Sequence, residues 1–253
     1  MSGLDFPFLP GSPERNRRLD PETIEHWVVP LDVPPATEEA ARALLSAEER
    51  ARADRFVFAR DRRRHTIAHA AMRVLLSAYT GSAPGDIRFA TLAHGKPVLE
   101  THTGLHFNLS HSGERALLGV TTLAEIGVDI EFRRVVADRD AIARSYFAAG
   151  EYRALEGLAS DLRDLGFFLC WTRKEAYVKA VGDGISLGLD RFEVTLEPGT
   201  AARFLTLDGS AEAAAAWSLH QLDPAPGYVG ATAIRGHPKG LLGWTFDTAS
   251  LAA

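Results

Sequence analysis

The clearest hydrophobic pattern lies at the middle of the chain, where Ile126-Gly127-Val128-Asp129-Ile130-Glu131 sets acidic positions among β-branched ones. The composition and a period of two predict a strand, with Val128 and Ile130 on one face and Asp129 and Glu131 on the other. Upstream, a strand is expected from Ile24 to Leu31. A helical stretch runs from Thr37 to Arg55, with Ser46 as an N-cap before Ala47-Glu48-Glu49. A long helix follows from about Phe58 to Tyr79. Its Ile67, Ala71, Val74, Leu75 and Ala78 form an apolar stripe, and Arg62, His65, His69 and Arg73 fall on the opposite side. Gly81-Ser82-Ala83-Pro84-Gly85 ends it, and strands are expected at Ile87 to Leu92 and Ala116 to Thr121. Between them, Gly95-Lys96-Pro97 reads as a turn that leaves its lysine exposed. Past the centre, helices are predicted at Ala137 to Tyr146, Ala149 to Leu158 and Leu162 to Val181, the last stopped by Gly182-Asp183-Gly184. Strands then follow at Arg191 to Leu196, Arg203 to Leu207, Ala216 to Leu222 and Tyr228 to Ile234. No pattern predicts an element beyond Pro238.

The two halves repeat. Asp86-Ile87-Arg88-Phe89-Ala90-Thr91-Leu92 resembles Asp190-Arg191-Phe192-Glu193-Val194-Thr195-Leu196, and each segment follows a long helix by a similar interval. This implies an α+β fold made of two copies of one unit around a pseudo-twofold axis, each with a long helix and antiparallel strands. The expected divisions are an irregular lead-in over 1–22, halves over 23–124 and 125–240, and a tail over 241–253. The acidic strand then falls near the seam between the halves, where ligand clefts are common.

Composition narrows the class. With 253 residues, 46% of them hydrophobic, the chain can bury a sizeable core. A formal net charge of −5 gives no sign of a nucleic-acid surface. Cys170 is the one cysteine, so no intramolecular disulfide can form, and its place among apolar residues reads as packing. No apolar run is long enough to span a bilayer, and a cytoplasmic location is the default expectation.

The acidic strand carries the first candidate chemistry. Two carboxylates at about 5 Å and an effective dielectric of about 20 repel by about 3 kcal/mol. A divalent cation, a shared proton or a basic partner would relieve that cost, and a hard ion such as Mg²⁺ suits oxygen ligands. The alternative is a solvated acidic edge. Arg60, Arg63 and Arg64 share the apolar stripe's azimuth nearer the helix start, so they either pair with acids such as Asp61 or face an anionic ligand, most simply a phosphate. Ser110 and His111 are adjacent on a strand and point apart, which argues against a nucleophile–base pair. Donors in Asn108-Leu109-Ser110-His111-Ser112 could instead grip phosphate oxygens. Glu175 and Lys179 form an i,i+4 pair, worth only about 0.2–0.5 kcal/mol as a helix-surface contact.

Four motifs occur together in order: His94-Gly95-Lys96-Pro97, Asn108-Leu109-Ser110-His111-Ser112, Gly127-Val128-Asp129-Ile130-Glu131, and Trp171-Thr172-Arg173-Lys174-Glu175-Ala176-Tyr177-Val178-Lys179. In this the chain resembles the 4′-phosphopantetheinyl transferases of the larger, single-chain Sfp type, built as a pseudodimer of the short type's fold. The resemblance implies transfer of the phosphopantetheine arm of coenzyme A to a serine of an apo acyl or peptidyl carrier protein, with release of adenosine 3′,5′-bisphosphate. It implies that Asp129, Glu131 and Glu175 bind Mg²⁺, with Mn²⁺ the other candidate, and that Glu175 is the general base. Lys179 and Ser110 would meet the pyrophosphate, Arg52, Arg64 and His111 the 3′-phosphate, and Gly95, Lys96 and Pro97 the adenine. The chain would act as a monomer. Two positions depart from some relatives: Glu49 stands where a lysine is found, and His65 where a threonine is found. A Mg²⁺-dependent phosphohydrolase of nucleotides or coenzyme A, or a non-catalytic coenzyme A-binding module, would use many of the same residues.

Overall fold

The computed structural model describes residues 8–92, 95–101, 104–182 and 184–252. Phe8–Gly11 forms a short strand, β1, inside the stretch expected to be irregular, and Thr23–Pro30 forms β2. The expected helical stretch divides into Pro35–Leu44 (α1) and Ala47–Ala53 (α2). Ser46 begins the second with a capping box: its hydroxyl accepts from the Glu49 amide at 3.2 Å, and the Glu49 carboxylate accepts from the Ser46 amide at 2.8 Å. Ala59–Thr80 is the long helix α3.

A tight turn at Pro84–Asp86 leads into the hairpin of Phe89–Thr91 (β3) and Pro97–Leu99 (β4), so the strand expected from Ile87 is shorter than its hydrophobic run. His106–Ser112 (β5), Arg115–Thr121 (β6) and Ile126–Phe132 (β7) follow. Arg139–Tyr146 (α4), Ala149–Gly157 (α5) and Arg163–Val181 (α6) come next. The chain then forms Phe192–Val194 (β8), Phe204–Leu207 (β9), the short helix Ala211–Ala215 (α7), Trp217–Leu222 (β10), Tyr228–Arg235 (β11) and Gly240–Phe246 (β12).

The two segments of the internal repeat fall on matching elements. α3 ends on Gly81 at φ +75°, followed by a tight turn and the β3–β4 hairpin; α6 ends on Gly182 at φ +84°, followed by a tight turn and the β8–β9 hairpin. Both glycines hold the left-handed conformation that closes a helix cheaply only without a Cβ.

Two sheets carry the core. One has the order β1-β12-β2-β6-β5 and the other β10-β11-β7. The second is antiparallel throughout, as expected, but the first is mixed: β12 lies parallel to both β1 and β2. The residues past Pro238, which no pattern assigned, therefore complete the sheet of the N-terminal half. Trp244 and Phe246 on β12 pack in the core of the N-terminal half, and Leu241 packs against the cluster between the two sheets, which holds the strand in place.

α3 packs on the outer face of the larger sheet through Ile67, Ala71, Leu75 and Leu76, against Trp27, Phe107 and Leu118. α6 packs on the smaller sheet through Cys170, Ala176 and Val178, against Val229, Ala231 and Ala233. The inner faces meet through Ile24, Val28 and Leu117 on one side and Ile126, Val128 and Ile130 on the other. Cys170 is fully buried, the packing role its position suggested.

The side of α3 opposite its apolar stripe is covered by α2 and the Pro84 turn. Arg73, only 2% exposed, lies there and donates to Glu49 at 2.7 Å and to the carbonyls of Pro84 and Ile87 at 2.8 and 3.1 Å. The arginines nearer the helix start pair with acids: Arg60 with Asp61, Arg63 with Glu38, and Arg64 with Asp32.

Candidate active site at the junction of two sheets

β5 and β7 are the edges of different sheets and share no backbone ladder. Three side chains of β5 stitch them together. Asn108, Ser110 and Ser112 share a face by the strand period, and each reaches β7: Asn108 Oδ1 accepts from the Val128 amide at 2.9 Å, Ser110 donates to Asp129 at 2.8 Å, and Ser112 donates to Glu131 at 2.7 Å. The polar members of the motif thus hold the two acids in place. The other face of β5 carries Phe107 and Leu109 toward α3, and His111 continues that face at the exposed strand end.

On β7 the same period puts Gly127, Asp129 and Glu131 toward α6. Gly127 is required there: a Cβ at this position would stand 2.0 Å from the Ala176 carbonyl oxygen and 2.3 Å from the Ala180 nitrogen. The helix backbone therefore rides directly on the strand. That approach delivers Glu175 and Lys179 to the acids. Lys179 Nζ lies 2.5 Å from Asp129 Oδ1 and 3.0 Å from Ser110 Oγ, so the lysine pairs across to the strand instead of along its own helix.

Asp129 is 4% exposed, and its Oδ2 is buried without a hydrogen-bond partner. Burial pushes the Glu131 carboxyl above its ordinary range; Ser112 opposes this and the Asp129 charge adds to it. Glu175 is also raised, first by burial, then by Asp129 and Glu131, with Lys179 pulling the other way. Three carboxylates thus interact in a half-buried site, with Lys179 on Asp129 and Arg134 3.6 Å from Glu131. Among the described residues, no three acidic, imidazole or thiol groups stand together in metal-holding geometry. The donor set nonetheless suits a hard cation, since an orphaned buried oxygen and two raised carboxyls all gain from a positive charge beside them.

The turn residues sit close to this centre. His94 lies outside the described residues. Lys96 is buried, at 8% exposure, instead of exposed as the turn suggested. Its ammonium donates to Glu125 at 2.6 Å and to the carbonyls of Ile126 and Ala180, each at 3.2 Å. The reason lies in α6, whose last turn offers unpaired carbonyls and the negative end of the helix dipole. Gly95 stays exposed and Pro97 half-buried.

The remaining candidates separate. Exposed Arg52, on α2, is one of the charges acting on His65, as are His69 and His111. His111 also feels Lys179 and Asp129, so this imidazole group adjoins the acid site; packing around the ring is the main cause lowering the His111 pKa. Arg64 points elsewhere, donating to Asp32 at 3.0 and 3.1 Å with Glu114 at 3.5 Å. Glu49, the departure that placed an acid in a basic neighbourhood, turns inward. Burial would raise its carboxyl, but His69, the Ser46 amide and the Arg73 guanidinium overcome that and hold it at about 2. Its charge is thereby committed to the protein. The contacts of Ser112 with Glu131 and of His69 with Glu49 are additions that the fold makes to the site. For Ser112 the strand period through Asn108 and Ser110 was an available signal, whereas His69 depends on the long-range partner Glu49.

The helix-borne Glu175 and Lys179 are thus set against the strand-borne Asp129 and Glu131, and the chain that carries them falls in a known class of transferase. Residues 125–233 match the 4′-phosphopantetheinyl transferase superfamily, and residues 34–122 match the description "4′-phosphopantetheinyl transferase, N-terminal". The chain belongs to this family and is a 4′-phosphopantetheinyl transferase. It is 38% identical over 236 residues to the 4′-phosphopantetheinyl transferase HetI of Nostoc sp., covering 92% of this chain and 95% of the relative. It is 33% identical over 168 residues to the 4′-phosphopantetheinyl transferase Sfp of Bacillus subtilis (strain 168), covering 66% and 74% respectively. No helix among the described residues is long and apolar enough to cross a membrane.

Proposed function

We propose that this enzyme transfers the phosphopantetheine arm of coenzyme A to the serine hydroxyl of an apo acyl or peptidyl carrier protein, releasing adenosine 3′,5′-bisphosphate. The observation that carries the reading is the facing of Glu175 and Lys179 on α6 with Asp129 and Glu131 on β7, enforced by Gly127. Glu175 has the position and the raised pKa of a general base, a carboxylate moved toward the operating pH by its surroundings. It takes the proton as the carrier serine oxygen bonds to the pantetheine-side phosphorus and the pyrophosphate P–O bond breaks. Lys179 and Ser110, already 3.0 Å apart, hold the pyrophosphate oxygens and meet the charge that builds on the leaving group. Lys179 releases Asp129 as it does so. Asp129, Glu131 and Glu175 would hold Mg²⁺ or Mn²⁺, which supplies Lewis-acid polarisation of the phosphoryl oxygens when bound.

Arg52 and His111 both act on His65, beside the acid site, and suit the 3′-phosphate; Arg64 can join them only by releasing Asp32. Gly95, Pro97 and the stem of Lys96 flank the adenine. Positioning of this kind supplies most of the catalysis in phosphoryl chemistry.

The test is product balance. Coenzyme A, Mg²⁺ and an apo carrier should yield adenosine 3′,5′-bisphosphate in equal amount to modified carrier, and none without the carrier. Nucleotide release that continues without any carrier would replace this reading with a phosphohydrolase.

A further inference from the structure

The smaller sheet has two edges, and the acid site uses only β7; the other edge is β10. A cavity of about 1140 Å³ runs beside Leu219, His220 and Gln221 of β10. A second, of about 550 Å³, runs beside Trp217, Ser218, Leu219 and His220. The two meet at Ala202, Leu219 and His220 and form one slot along the strand. Asp129, Glu131, Glu175 and Lys179 line neither part of it.

The strand edge in this slot is unpaired in a regular pattern. The Ala216 carbonyl accepts from the Gly236 amide at 2.8 Å, which fixes the phase of the antiparallel ladder. Ser218, His220 and Leu222 therefore exchange bonds with β11, and Trp217, Leu219 and Gln221 turn their amides and carbonyls outward. Among the described residues these outward groups find no hydrogen-bond partner, although Leu219 is only 5% exposed. His220 adds a buried Nε2 without a partner. Buried backbone and imidazole groups are ordinarily paired, so the slot suits a ligand that offers donors and acceptors at the two-residue spacing of a strand. Its walls are the β8–β9 hairpin tip at Pro198, Gly199 and Thr200, and Val28 and Leu241 of the larger sheet. An extended chain can enter lengthwise where the edge of a second folded sheet would meet those walls.

The charges select the kind of chain. Arg115, Arg133 and Arg173 line the larger cavity and Arg203 the smaller, with Asp223 the one acid on either lining among the described residues. Arg173, 1% exposed, donates only to neutral groups, Thr195 and Gln221. In a chain of net charge −5, guanidiniums gathered without carboxylate partners favour an acidic ligand. The two sides of β10 differ as well: Leu219 and Gln221 face α6 and its Arg173, whereas Leu222 faces Val28 and Leu241. An incoming strand alternates in the same way, so an acidic face meets Arg173 while an apolar face meets Val28 and Leu241. We propose that β10 is a docking edge for an extended acidic peptide segment of a partner protein, which adds to the smaller sheet as a further strand. This does not depend on the reading of the acid site.

The probe is the labelled peptide acetyl-Val-Glu-Val-Glu-Val-Glu-Val-amide, titrated onto the full chain by fluorescence anisotropy at low salt, with amide hydrogen exchange locating the contact. It should bind about tenfold more tightly than the same peptide with lysine in place of glutamate, and slow exchange in residues 217–222. N-methylation of either the valines or the glutamates should weaken binding about tenfold and methylation of the other set should not, because only alternate amides face β10. The double variant Arg133→Glu, Arg203→Glu changes two exposed side chains, so its melting midpoint should hold while peptide affinity falls about tenfold. No binding, equal affinity for the glutamate and lysine peptides, or binding without protection of residues 217–222 overturns the proposal. Protection of that segment that grows with protein concentration in the absence of peptide assigns the edge to a second copy of the chain and overturns it too.

Discussion

Replacing Gly127 with alanine tests how the site is assembled. The added Cβ would lie 2.0 Å from the Ala176 carbonyl oxygen and 2.3 Å from the Ala180 nitrogen, both helix backbone atoms that cannot rotate away. Restoring ordinary contact requires α6 to move off β7 by about 1.4 Å, since attraction turns to steep repulsion inside normal van der Waals separation. Overpacking of this kind costs about 1–3 kcal/mol. The displacement also carries Glu175 and Lys179 away from Asp129, and a misplacement of about 1 Å can cost about a hundredfold in rate. Gly127→Ala should therefore remain folded, with a lowered melting midpoint, and modify a carrier protein about a hundredfold more slowly. Thermal unfolding and a timed carrier-modification assay read the two effects separately. A variant with the wild-type rate would refute the reasoning, because it would mean that the strand–helix approach does not position the site.

Two further perturbations address stability. Lys174 is fully buried and pairs with Glu151 at 2.7 Å while donating to the carbonyls of Leu189 and Phe192. Lys174→Met should cost about 3–5 kcal/mol in urea unfolding by stranding a buried carboxyl, and adding Glu151→Gln should recover part of it; a single variant as stable as the wild type would contradict this. Acid should also destabilise the protein through its buried histidines. Burial, mainly, holds His26 at about 3 and His220 at about 4 in the folded state, below the ordinary histidine value of 6.5. The stability they confer is complete above pH 6.5 and is lost as pH falls toward those values, because the unfolded chain binds the protons first. At pH 5 the loss should be about 2 kcal/mol for each. An unfolding midpoint constant between pH 7 and pH 5 would show that neither ring is held neutral.

Local pattern was enough to place much of the site. The alternation around Asp129 is a backbone property of one strand, and the 100° turn of a helix puts Glu175 and Lys179 on one side of α6, so both acid-bearing faces could be read before the fold was known. Ser46 likewise announced its capping box through Glu49 three residues on. What could not be read depends on contacts between distant segments. Lys96 is buried because the end of α6, more than eighty residues later, offers it carbonyls. β12 becomes a strand because a place between β1 and β2 receives it, not because its own alternation is strong. Glu49 looked like a charge opposed to phosphate until Arg73, far along the chain, was found to hold it.

The central claim, that this site transfers phosphopantetheine to a carrier serine with Glu175 as base, is tested most directly by intact mass spectrometry of apo acyl and peptidyl carrier proteins incubated with the enzyme, coenzyme A and Mg²⁺. A mass gain of one phosphopantetheinyl group on a carrier, lost when EDTA is added and lost with Glu175→Gln, is the expected result. A gain that persists undiminished with Glu175→Gln would contradict the assignment of the base, and no gain on any carrier from enzyme that binds coenzyme A would contradict the proposed reaction.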